Sequence, residues 1–153
     1  MADPDLAYAS LHEADSYMLY HLKKALWDRC TLDEKRAALV SATRSIDKLA
    51  LRGTKKSANQ TLRFPRNTGE EEIPMAVKEA TIELAIALLD GIDAEKEYQG
   101  LSRISRAYGP VSQHKDTSKI EPHLAAGIPS LEAWRRLLPY IRAAGGIKLV
   151  RDS

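Results

Sequence analysis

Apolar residues recur at three- and four-residue spacing along the first part of the chain, at Leu11, Ala14, Tyr17 or Met18, Leu22, Ala25 and Leu26. That period marks one face of an amphipathic helix and predicts a first helix over about Leu11–Cys30, ending near Trp27. Thr31, followed three residues later by Glu34, has the spacing of a capping box, in which hydroxyl and carboxylate each satisfy an orphan backbone N–H. A second helix is therefore expected over about Leu32–Leu51, with Leu39, Ala42, Ile46 and Leu49 as its stripe and Gly53 as its stop.

A third helix is expected over about Pro74–Asp90. It is apolar nearly all round, broken only by Lys78, Glu79, Glu83 and Asp90, so several neighbours must cover it and it becomes the centre of a bundle. Glu70, Glu71 and Glu72 precede it and complement the positive end of a helix dipole. Ser130 caps a fourth helix, about Leu131–Ala143, in which Leu131, Trp134, Leu137 or Leu138 and Ile141 keep helical spacing up to Gly145 and Gly146.

Three stretches break the period. Arg52 to Gly69 is small, polar and basic, and reads as an ordered loop pinned by Leu62 and by Phe64, which Pro65 holds extended. Around 101–115, Gly109 and Pro110 separate two short extended runs, as in a β-hairpin. Such a hairpin is too short to be stable alone and needs something to pair with. Ile147 to Arg151 alternates and is β-prone, giving an extended C-terminal arm over 147–153. The expected fold is mainly α: a single domain over 1–153, a small helical bundle around a central apolar helix, with a hairpin insertion and a terminal arm.

Composition narrows the function classes. A chain of 153 residues, 44% hydrophobic, can bury a core without disulfides or metal. The net charge of +2 names no partner, and Cys30, the only cysteine, fits a reducing compartment such as a cytoplasm. The acidic amino terminus does not resemble a signal peptide. The longest strictly apolar run, Leu84 to Leu89, is far short of a membrane span.

Catalytic patterns are missing. His12, His21, His114 and His123 show no helical metal spacing, and there is no phosphate-binding glycine loop, dinucleotide fingerprint or nucleophile elbow. No metal, no cofactor and no enzymatic activity are expected. Charge is distributed more informatively: Arg52, Lys55, Lys56, Arg63 and Arg66 lie between Leu51 and Gly69 without one acid. Such a loop is either a solvated surface, a partner for an acidic patch on a neighbouring copy, or a contact for nucleic-acid phosphate. The first hundred residues hold 17 acids and 14 bases, whereas nine bases and four acids follow Leu101, an asymmetry suited to a head-to-tail contact between copies, which closes into a ring when the rotation between them is right.

Several motifs together resemble a known family. They are Ser16-Tyr17, Trp27, Ala38 to Arg44 with Ile46-Asp47, Gln60-Thr61-Leu62-Arg63-Phe64-Pro65-Arg66, Ile73-Pro74, Gly109-Pro110-Val111-Ser112, and Leu137-Leu138-Pro139-Tyr140. The chain resembles tailed-bacteriophage head-to-tail adaptor (connector) proteins, some relatives of which carry the label of a DnaT-like single-stranded DNA-binding protein. The resemblance implies a ring, typically dodecameric, below the portal, located in the virion neck and extending the channel for packaged double-stranded DNA. It implies as partners the portal protein, a tail or second neck protein of stopper type, and further copies of itself, with no membrane.

Residue by residue, the resemblance assigns portal binding to Ile147, Lys148, Leu149, Val150 and Arg151. It assigns the subunit interface to Gln60, Arg63, Phe64, Pro65 and Arg66, and a tail or neighbour contact to Arg103, Arg106, Tyr108 and Val111. The alternative is a single-stranded DNA-binding replication accessory. Its chemical weakness is that strand binding stacks bases on exposed aromatics, whereas Trp27, Phe64 and Trp134 are expected to be core or anchor residues.

Overall fold

The computed structural model describes residues 6–92 and 121–142. The expected hairpin at 101–115, with Arg103, Arg106, Tyr108 and Val111, lies outside the described residues, as does the arm at 147–153 with Ile147, Lys148, Leu149, Val150 and Arg151.

The described residues form a mainly α structure: α1 (Leu11–Met18), α2 (Lys24–Arg29), α3 (Leu32–Asp47), α4 (Met75–Leu89), α5 (Pro122–Ala125) and α6 (Leu131–Leu137), the last continuing as a 3-10 turn over Leu138–Tyr140. Extended pairing among them is limited to two isolated antiparallel bridges, Leu51 with Ile141 and Lys55 with Arg66. No helix of the described residues is long and apolar enough to cross a membrane.

The central helix is as its composition demands. Eight consecutive residues of α4, Ala80 to Ala87, are buried, which requires cover on every side. Helices α3 and α6 pack along it most extensively, with α2 and α1 completing the shell. Leu39, Ala42 and Ile46 of α3 and Ala133 and Leu137 of α6 supply the facing apolar surface. The expected capping box at Thr31 and Glu34 is present, and Ser10 with Glu13 forms a second one at the start of α1.

Three helix boundaries differ from the hydrophobic pattern, each for a local reason. The expected first helix is two helices, because the chain turns between Met18 and Lys24. There His21 folds inward: its Nδ1 accepts the Lys23 backbone N–H at 3.0 Å while its Nε2 lies 3.2 Å from Glu83. Leu22, which the period places on the buried face, is fully exposed as a result.

The second helix stops at Asp47 rather than Leu51. The Arg63 guanidinium donates to the carbonyls of Asp47 and Leu49, each at 2.7 Å, and so caps a helix end from a residue sixteen positions away. The fourth helix ends at Leu137 and tightens into the 3-10 turn, because Pro139 offers no backbone N–H to continue the α-helical ladder. Ile141 is then extended and bridges to Leu51.

Candidate nucleic-acid interface

The segment from Arg52 to Gly69 has no helix, yet nearly every part of it is tied down. Lys56 N–H donates to the Pro65 carbonyl at 3.0 Å and Asn67 N–H to that of Thr54 at 2.9 Å, closing the segment into a tongue. Gln60 braces its interior: the amide Nε2 donates to the carbonyls of Leu62 and Pro65, both at 2.9 Å, and Oε1 accepts the Ser57 N–H. The Phe64–Pro65 peptide bond is cis.

Phe64 is the anchor that the sequence predicts, only 2% exposed. Its ring meets Tyr8 edge-on at 5.6 Å and Tyr140 edge-on at 5.5 Å, joining the tongue to the amino-terminal segment and to the end of α6. The Tyr8 hydroxyl accepts the backbone N–H groups of Arg63 and Phe64 and donates to Asp47. Burial, reinforced by the Asp47 carboxylate, pushes the Tyr8 phenol far above its ordinary range, and burial also raises Asp47.

The five cations of the tongue divide into two sets. Arg63 caps α3, and Arg66 is 3% exposed, with its guanidinium donating to the carbonyls of Arg52, Arg63 and Gly53. Burial, with nearby Arg63, lowers the Arg66 pKa, but a guanidinium remains charged. Gln60, Arg63, Phe64, Pro65 and Arg66 are thus brought together on the inner side of the tongue.

Arg52, Lys55 and Lys56 form the exposed set. Each touches the chain once or twice and is otherwise open to solvent. Arg52 Nε donates to the Ile141 carbonyl at 3.1 Å, Lys55 to that of Gln60 at 3.2 Å, and Lys56 pairs with Glu71 at 2.8 Å. Arg142, also exposed, lies across the Leu51–Ile141 bridge, its N–H donating to the Ala50 carbonyl. The outer face of the tongue is therefore a cationic rim.

Gly53 makes this geometry possible. Its φ is +71°, and a Cβ there would stand 2.5 Å from Asn67 Oδ1 and 2.8 Å from Thr68 Cγ2. Gly53→Ala is expected to lower stability by about 1 to 3 kcal/mol. Thermal denaturation checks this, and an unchanged midpoint would mean that the turn relaxes without penalty.

A second feature was not legible in the sequence. Glu83, in the buried run of α4, accepts the Tyr17 hydroxyl at 2.5 Å and faces His21, while Arg136 Nη2 donates to the same hydroxyl at 3.2 Å. Burial and the Glu83 carboxylate push the Tyr17 phenol well above its ordinary range. Beside this cluster lies a groove of about 700 Å³, lined in part by Tyr20, Leu22, Ile86, Ile92 and Leu131. Tyr20 is 92% exposed there, whereas Trp27 and Phe64 are buried. No group of three or more metal-ligating side chains is found among the described residues.

Over residues 3–146 the chain matches the model of a family described as "Putative DnaT-like ssDNA binding protein". No curated protein and no solved structure matches it. The matching description is the label carried by some relatives in the resemblance above, and it says nothing of a head-to-tail adaptor.

Proposed function

Because the chain belongs to the DnaT-like ssDNA-binding family, we propose that it is a non-enzymatic single-stranded DNA-binding protein that engages the strand through the outer face of the Arg52–Arg66 tongue. The observation that carries this proposal is the family match across nearly the whole chain. The cationic rim of Arg52, Lys55 and Lys56 supports it, since phosphate neutralisation supplies the sequence-independent part of strand affinity. Among the described residues Trp27 and Phe64 are buried, so neither offers a ring on which bases could stack. Binding is therefore dominated by the phosphate backbone and is weak at physiological salt.

Titration of a fluorescent oligothymidylate at several salt concentrations tests this. Three exposed cations predict a slope of log affinity against log salt of about −2, at roughly 0.7 per phosphate contacted. No binding at about 50 mM salt, or binding indifferent to salt, would overturn the proposal.

One observation favours a second reading, a ring-forming adaptor of the phage neck that binds portal and tail proteins around packaged DNA. Leu19, Tyr20 and Leu22 are exposed together beside an apolar-lined groove, a surface suited to protein contact. Native mass of the chain mixed with a portal ring tests it. The adaptor loads to about one copy per portal subunit, and loading that depends on Ile147–Ser153 assigns the docking role to that arm. A chain that never loads is not an adaptor.

A further inference from the structure

A pocket of about 280 Å³ opens between the tongue and the end of α6, lined by Arg52, Arg66, Thr68, Glu70, Pro139 and Tyr140. We propose that it is a phosphate site for a single nucleotide unit of the bound strand, a deepening that rests on the DNA-binding function proposed above. In it a phosphodiester sits against Arg52 and the edge of Arg66 in the position that Glu70 guards in the free protein.

Charge is the first ground. The Arg66 guanidinium is buried, and its acceptors among the described residues are three neutral carbonyls, with no carboxylate paired to it. A buried cation held only by carbonyls keeps its field, which a nearby low-dielectric pocket focuses. Arg52 adds a second guanidinium to the lining, tethered through its Nε to the Ile141 carbonyl at 3.1 Å, and its terminal nitrogens have the donor pattern that pairs with phosphate oxygens. One carboxylate faces these two cations. Glu70 is held at the pocket by the Arg66 backbone N–H at 2.8 Å and by the Thr68 hydroxyl at 3.3 Å.

Tyr140 is the second ground. Burial, with Glu70 nearby, raises its phenol, so it stays protonated and can donate to an oxyanion. Its ring is braced by Phe64 and is only half-buried, which leaves aromatic surface beside the two guanidiniums. A cation pair next to a braced ring is the local chemistry that a nucleotide unit requires.

The test is an oligothymidylate titration of the full chain and of Arg52→Ala, Arg52→Lys and Glu70→Gln, with Arg29→Ala on α2 as the remote control. Arg52→Ala should weaken binding about tenfold and flatten the salt slope by about 0.7. Arg52→Lys should lie between, because it keeps the charge and loses the fork. Glu70→Gln should strengthen binding about threefold, since it removes the guarding charge and keeps an acceptor for Arg66 N–H. Arg29→Ala should change nothing.

Salt-dependent binding by the wild type that Arg52→Ala and Glu70→Gln leave untouched would overturn the pocket and leave the DNA-binding function standing. No strand binding by the wild type would overturn both. If inorganic phosphate then shifted the Arg52 and Tyr140 NMR signals, the ligand would be free phosphate rather than DNA. A change in native mass on Arg52→Ala without a change in DNA affinity would assign the pocket to a neighbouring copy's carboxylate, which also overturns the proposal.

Discussion

Phe64→Ala should lower the unfolding free energy by about 3 to 5 kcal/mol, the range for removing a large buried aromatic ring. The effect belongs near the upper end because the ring is not packed in one element. It stands edge-on to Tyr8 and to Tyr140 at once, so its loss opens a cavity where the amino-terminal segment, the tongue and the end of α6 meet. Urea denaturation gives the magnitude. Amide exchange should show Lys56 and Asn67, whose N–H groups close the tongue, losing protection ahead of α4. A loss below about 1 kcal/mol would mean that Tyr8 and Tyr140 collapse onto each other and that the ring is not the anchor.

Glu83→Ala should be comparably destabilising, by about 3 to 5 kcal/mol, for a different reason. Removing the carboxylate leaves the Tyr17 hydroxyl and the His21 Nε2 facing a cavity in the bundle without their acceptor. Glu83→Gln keeps an acceptor and should lose less. The damage should be directional, since His21 is what turns the chain between α1 and α2. Exchange protection in Lys24–Arg29 should fall before protection in α3. Equal losses for the two substitutions would show that the carboxylate's charge, and not the volume and acceptor that Gln retains, carries the effect.

The parts of the fold that sequence reveals are those set by local chemistry. Thr31 and Glu34 fix a helix start within four residues, and an all-round apolar stretch from Val77 to Leu89 can only be a covered helix. The boundaries that it hides are set by partners distant along the chain. Nothing near Asp47 announces that a helix ends there, because the capping group is Arg63. Nothing near Leu19 announces a turn, because Glu83, sixty-two positions beyond His21, holds the turning residue. Pro139 is the exception: its missing N–H marks the end of α6 locally, even though the apolar period continues through Ile141.

The same division runs through the candidate interface. The sequence shows five cations in one loop but cannot show which of them face inward. Arg63 and Arg66 hold backbone carbonyls, whereas Arg52, Lys55 and Lys56 form the outer rim. Charge counts alone therefore overstate the loop's outward field. Tyr140, predicted only as part of a terminal motif, becomes a pocket wall because Phe64 braces it.

The bridge between Leu51 and Ile141 also determines how the molecule would respond to load. It consists of Arg52 N–H on the Tyr140 carbonyl at 2.8 Å and Arg142 N–H on that of Ala50 at 2.7 Å. Tension applied to the chain beyond Arg142 meets the second bond first and then the other, so the contacts yield in turn like a zipper rather than together in shear. A pull from that end would peel the last turn from the tongue, and open the wall that Tyr140 forms, before force reached α4.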